Sequence, residues 1–191
     1  MKTLYIHPDN PQPRLIDETA TALSSDKVII IPTECGYRFA FGMSAKDAFE
    51  RLVRLGSDES DLLLVCQNIS QLSDVAVVAN DAFRTLKSDF TPQHAFILEL
   101  TKAVNKKIIS KKSLRFTTSA TPVMTALLEQ IGEPFFIAPL VYQGEPVSEH
   151  YDITDKLDSQ ADIFVDVGVI DDVEISVVDL TGQDLFLLVD F

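Results

Sequence analysis

Five side chains able to do chemistry stand within six positions of one another: Thr33, Glu34, Cys35, Tyr37 and Arg38, in the stretch "IPTECGYRFAFG". They follow the apolar run "KVIII", so a buried strand delivers a hydroxyl, a carboxylate, a thiol, a phenol and a guanidinium to its end. That inventory suits a binding mouth or a nucleophilic centre. A nucleophilic cysteine needs an electropositive setting and a histidine within reach. Arg38 is near in sequence, but His7, His94 and His150 are scattered and belong to no motif. Free cysteine most often packs as a small hydrophobe. Cys35 is therefore read as a packing thiol and not as a nucleophile, no catalytic residue is assigned, and Cys66, inside "LLLVCQ", reads as core.

Other charged groups are less pointed. Arg51 and Arg54 are three apart on one helix, the pattern of exposed helix charges. "NKKIISKKSLR", residues 105–115, is the one basic cluster and reads as a solvated loop and edge strand, where lysines discourage edge pairing. The acidic segment "DVGVIDDVE" lacks the alternating oxygen ligands and terminal Glu of a calcium loop and reads as a solvated turn, so no metal site is expected. With 29 acidic residues against 16 basic and a net charge of −13, the global field opposes approach to nucleic acid. Two cysteines in no C-x-x-C pair give neither a disulfide nor a zinc framework. No apolar run reaches the roughly 20 residues of a membrane helix, and "MKTLYIHPDNPQP" meets prolines too early for a signal peptide. The expectation is a reduced, cytoplasmic protein without a membrane partner.

The elements that must position these residues alternate early and bunch late. "TLYIH", "VIIIP", "LLLVC", "HAFILEL", "RFTTS" and "FFIAPLVY" read as strands, and "ADIFVDVG", "ISVVDL" and "LFLLVDF" as three more at the end. "RLIDETATAL" carries a helical stripe. Ser44 with Asp47 has capping-box spacing before a stripe of Ala45, Ala48, Phe49 and Leu52, and Asn80 can cap "DAFRTLK". "SATPVMTALLEQIGEP" is the clearest helix, with Thr121 as N-cap, Pro122 in the first turn and Gly132 ending it. This order predicts a mixed α/β (α+β) fold in one domain over residues 1–191, built on a large, largely parallel sheet.

These stretches also carry a family likeness. "VIIIPTECGYRFAFG" resembles the strand–Pro-Thr-(Asp/Glu)-x-x-Tyr entry of the YrdC-like domain, the threonylcarbamoyl-AMP synthase fold, and looks closest to its YciO branch. The likeness continues, in order and at family spacing, through "AFERLVRL", "TPQHAFILEL", "ATPVMTALLEQIGEP" and "SVVDLTG". The resemblance implies a twisted sheet with helices around it and a large basic cavity. It also implies conversion of threonine, bicarbonate and ATP into threonylcarbamoyl-adenylate, feeding a tRNA modification. Thr33 and Tyr37 fall on the family residues associated with the threonine end of the pocket, and Glu34 on its acidic position. Cys35 falls on a hydroxyl-bearing pocket position.

The nucleotide-binding positions do not carry over. The Lys-x-Arg pair aligns with Gly56 and Asp58, the Gly-x-Arg-x-Pro strand places Thr117 and Ser119 at its Arg and Pro, and the Ser-Ala-Asn element gives Pro139 and Val141. The late Arg aligns with Val189. A charge-assisted bond to phosphate contributes on the order of 1.5–3 kcal/mol, so losing two weakens binding about a hundredfold or more. Arg115, two residues before the missing Arg, and Arg38, beside Tyr37, form a candidate relocated pair for a smaller anion. Two readings remain. One is a divergent member that binds a small carboxylate or amino acid, or acts as an interaction protein, and needs no cofactor. The other is an active synthase-type enzyme using ATP and a divalent cation. The missing cations and the acidic balance favour the first. Oligomeric state is left open.

Overall fold

The computed structural model describes residues 1–171, 173–182 and 186–188. The strands are β1 (Lys2–Tyr5), β2 (Ile29–Thr33), β3 (Gly36–Gly42), β4 (Leu63–Val65), β5 (His94–Glu99), β6 (Ser113–Thr117), β7 (Phe135–Pro139), β8 (Val141–Tyr142), β9 (Glu145–Pro146), β10 (Ile163–Asp166), β11 (Ser176–Asp179) and β12 (Phe186–Leu188). The helices are α1 (Pro13–Leu23), α2 (Lys46–Leu55), α3 (Ile69–Val75), α4 (Asn80–Asp89), α5 (Pro122–Ile131) and α6 (His150–Leu157), with a 3-10 turn over Glu59–Asp61. Ten strands form one sheet in the order β1-β10-β2-β3-β7-β4-β6-β5-β11-β12, and β8–β9 is a separate hairpin.

The α/β class is as expected. The sheet, however, is evenly mixed rather than largely parallel: β1–β10, β10–β2, β4–β6 and β5–β11 are parallel, while the five other pairings are antiparallel. The physical reason is β3. Thr33 and Gly36 pair across a two-residue connection, so the chain folds straight back beside β2 rather than crossing over through a helix. The first five residues of "FFIAPLVY" do hold a central place, as β7 between β3 and β4, while Val141–Tyr142 leave the sheet as β8. The three closing strands separate, β10 inserting between β1 and β2 while β11 and β12 complete the other side.

Alternation along the strands splits the core into two layers. Ile29, Ile31, Ala40, Leu63 and Ile137 face α1 and α5 and pack with Ile16, Leu23, Met124 and Leu127. Ile30, Phe39, Phe41, Leu64, Phe116 and Phe136 face the other way, onto residues of α2, α3, α4 and α6. That second layer is aromatic, with Phe41 stacked on Phe136 at 5.2 Å and on Phe49 at 6.0 Å between ring centroids. Each such fully buried side chain contributes about 1.5–3 kcal/mol by leaving water.

Thr121 Oγ1 accepts the Met124 N–H at 3.3 Å, Pro122 opens α5 and Gly132 ends it, as its sequence predicts. Two expected caps differ. α2 follows Ala45 and α4 follows Ala79, neither helix start has a side-chain cap, and Asn80 is already helical. Both helices are held by their buried stripes instead, Ala48, Phe49, Leu52 and Leu55 in α2 and Ala82 and Leu86 in α4. Arg51 is not a solvated helix charge. It donates to Asp162 Oδ2 at 2.6 Å and to the Gln160 carbonyl at 2.9 Å, tying α2 to the start of β10. Among the described residues, no helix is long and apolar enough to cross a membrane.

Candidate ligand-binding cavity

On the sheet face shared with α1 and α5, a cavity of about 830 Å³ opens at the ends of β3 and β7. Its sheet side is Arg38, Leu63, Ile137 and Pro139. Arg38 pairs with Pro139, and Leu63 with Ile137, across neighbouring strands. Two chain segments wall it, Pro146–Tyr151 at and after the end of the β8–β9 hairpin, and residues 169–171 and 173–175 after β10. The first is seated by the hairpin turn. Gly144 donates its N–H to the Leu55 carbonyl at 3.0 Å, and a Cβ on Gly56 would lie 2.7 Å from Gly144 Cα. Gly56 holds φ at +112°, so a side chain there is opposed by both backbone conformation and space.

The second segment is fastened by Tyr37. This buried phenol donates to the Gly168 carbonyl at 2.6 Å and accepts the Val167 N–H at 3.0 Å. Asp166 Oδ1 is 3.4 Å from the same hydroxyl, accepts the Gly168 N–H at 2.8 Å and meets His150 Nε2 at 2.9 Å. Tyr37, His150 and Phe164 pack ring against ring, with centroids 5.2–5.9 Å apart. Burial, reinforced by the Asp166 charge and opposed by the Val167 N–H, pushes the Tyr37 phenol above its ordinary pKa and keeps it protonated.

The five residues around position 33 are thus divided. Tyr37 and Arg38 line the large cavity, and Cys35 stands between it and a crevice of about 10 Å³ bordered by Thr33 and Glu34. Thr33 Oγ1 accepts the Cys35 N–H at 3.1 Å and donates to the Gly36 carbonyl at 2.8 Å, closing the hairpin turn. The Glu34 carboxylate accepts the Ala120 N–H at 2.7 Å and the Ser119 hydroxyl at 2.9 Å, binding the turn to the approach to α5. The Glu34 carbonyl accepts the Val173 N–H at 3.0 Å. Arg38 donates to the Tyr37 carbonyl at 3.1 Å.

Arg115 shares Arg38's face of the sheet but stands three strands away, about 14 Å at the usual strand spacing. It donates to the Ser60 carbonyl at 2.9 Å and does not line the cavity. Burial lowers its guanidinium below the ordinary arginine value, against the pull of Asp61. The two arginines are not brought together. Gly56, Asp58, Thr117 and Ser119 also lie off the cavity lining. Asp58 caps the 3-10 turn, and Thr117 donates to the His94 carbonyl at 2.9 Å. Pro139 lines the cavity, and Val189 lies outside the described residues.

Two residues of the site escape reasoning from sequence. His150 belongs to no motif there, and Asp166 is read as the start of a solvated turn, yet they meet at the cavity wall. The available signal is Asp166's place at the C-terminal end of a strand, where α/β sheets present their ligand groups. Among the described residues, no group of three or more His, Cys, Asp or Glu is placed to hold a metal ion. Cys66 is buried, as expected, and burial pushes its thiol up.

Residues 21–188 match the family model described as Telomere recombination, Sua5_yciO_yrdC. The chain is 34% identical over 185 residues to the Escherichia coli protein YciO, itself uncharacterized, covering 94% of this chain and 90% of that one. It superposes on the crystal structure of E. coli YciO with a TM-score of 0.89 at 32% identity, over 98% of this chain and 95% of the other. P. abyssi Sua5 complexed with L-threonine has the same fold, with a TM-score of 0.83 at 17% identity, covering 98% of this chain and 57% of that one. The collinear segments, the fold and these matches agree: the chain belongs to the Sua5/YciO/YrdC family.

Proposed function

We propose that this protein binds a small carboxylate-bearing ligand, of amino-acid type, in the cavity at Arg38, and that it does not take a nucleoside triphosphate there. One observation carries the reading. Among the described residues lining the cavity, Arg38 is the sole lysine or arginine, and it shares the lining with Glu149, Asp171 and Glu174. A triphosphate needs several cations converging on its oxygens, because its binding and its chemistry rest on electrostatic positioning. A single guanidinium instead matches one carboxylate in geometry and charge. Three acidic groups in the same lining repel a polyanion and tolerate an ammonium group.

Two further points support this. P. abyssi Sua5 has been solved with L-threonine, an amino acid, in the same fold. The net charge of −13 also disfavours a nucleic-acid partner. The experiment is calorimetry at low salt with ATP, with threonine and with both. Micromolar ATP binding, or pyrophosphate release in the presence of threonine and bicarbonate, overturns the reading and establishes the synthase-type alternative. Threonine or another small carboxylate binding without ATP, and lost in Arg38→Gln, is the expected result.

A further inference from the structure

Seven large apolar side chains are exposed among the described residues, and three of them, Tyr151, Val169 and Val173, border this one cavity. They are 68%, 83% and 49% exposed. They come from both walling segments, so they flank the mouth, while Arg38 sits on the sheet side. Leu63, Ile137 and Ile175 extend the apolar lining beside it.

The volume adds a constraint. A cavity of about 830 Å³ is in the range that encloses a ligand of drug-like size. An amino acid as small as threonine occupies a small part of it and reaches Arg38 without covering the mouth. Exposed apolar side chains grouped around a concave opening mark a surface that is covered in use. The concavity, with one cation on its sheet side, fits a small amphipathic molecule better than a flat protein face.

We propose that the ligand is an amphipathic monocarboxylate, its carboxylate on Arg38 and an acyl or aromatic body running outward against Tyr151, Val169 and Val173. This rests on the carboxylate reading above and goes beyond it by assigning the rest of the molecule. The ion pair fixes which end enters. The apolar body displaces water from Tyr151 and the two valines, so affinity grows with its length by roughly three- to fourfold per buried methylene.

The test is titration of the full chain, by calorimetry in a carboxylate-free buffer, with acetate, butyrate, hexanoate and octanoate below their aggregation limits, and with hexanamide. Affinity is expected to rise along the acids, and hexanamide to bind at least tenfold more weakly than hexanoate. Arg38→Gln should erase the acid–amide difference and keep the length dependence. Tyr151→Ala, at an exposed position, should flatten the length dependence and keep the acid preference. If acetate and threonine bind as tightly as octanoate, the amphipathic assignment fails while the carboxylate reading stands. If no acid binds more tightly than hexanamide the amphipathic assignment fails, and if threonine does not bind either, the carboxylate reading fails with it. The comparison of acid with amide uses the unmutated chain and so does not depend on any variant folding.

Discussion

His150 Nε2 and Asp166 Oδ1 lie 2.9 Å apart, joining the first residue of α6 to the last residue of β10 at the cavity wall. The same carboxylate oxygen takes the Gly168 N–H and approaches the Tyr37 hydroxyl, so one acceptor coordinates a histidine, a phenol and a backbone turn. The arrangement stiffens the segment after β10 from the sheet side. Its energetic weight sits on Tyr37, whose hydroxyl also serves Val167 and Gly168.

Removing that hydroxyl is informative. Tyr37→Phe keeps the ring contacts and strands the Val167 N–H and the Gly168 carbonyl, at a cost of about 1–3 kcal/mol. Denaturant unfolding should report the loss, and amide exchange should accelerate at Val167 and Gly168. Because the folded phenol is raised above its unfolded value of about 10, its contribution is complete below that pH and fades as pH climbs toward the folded value. Phenolate absorbance should therefore show a component that appears only with alkaline unfolding, and Tyr37→Phe should abolish it.

Acid acts elsewhere. Glu59 binds the Lys111 N–H at 2.7 Å and the Ser110 hydroxyl at 2.8 Å, holding the loop before β6 to the 3-10 turn. Burial raises its carboxyl, but these donors outweigh burial and keep it below the ordinary glutamate range. A depressed folded value means the tether is fully present above the unfolded pKa of about 4.3 and is lost as pH falls through the folded one. Glu59→Gln should remove that component from stability measured between pH 7 and pH 3.

Position 56 tests whether one added cation confers nucleotide binding. Gly56→Ala and Gly56→Lys both force a side chain onto a backbone at φ +112° with Gly144 in the way. Each should destabilise by about 1–3 kcal/mol. Calorimetry of Gly56→Lys should detect no gain in ATP binding.

The two cysteines offer a reporter. Cys66 is fully buried with its thiol raised, and Cys35 is half-buried on the cavity lining. Brief alkylation of the native protein, read by mass spectrometry, should label Cys35 alone, and label at Cys66 should appear on unfolding. A ligand that fills the cavity should slow labelling at Cys35.

Much of the scaffold was legible because it is written in local rules. α5 declares itself through Thr121, Pro122 and Gly132, and the buried runs of β2 and β7 through unbroken apolar residues. β3 is hidden in the sequence because Gly36 and Arg38 interrupt its apolar pattern, and the antiparallel centre of the sheet is hidden with it. At Ser44, favourable spacing lost to the packing of the stripe one residue later. The site was legible only where it is local: "PTECGYR" marks the cavity's sheet edge. Nothing in that stretch discloses that Glu34 is bound at Ser119, or that Tyr37 reaches Gly168, contacts separated by 85 and 131 residues. The separation of Arg115 from Arg38 is not legible because a sequence shows which face a strand residue takes and not how many strands intervene.

Those long reaches set an order of events during synthesis. The β2–β3 hairpin leaves the ribosome more than a hundred residues before the segment that Tyr37 and the Glu34 carbonyl fasten. A nascent chain that has emerged only through β7 has the cavity's sheet side and neither of its walls. Enclosure of the cavity is thus a late event, reached only once the segment after β10 has been made and Tyr37 can fasten it.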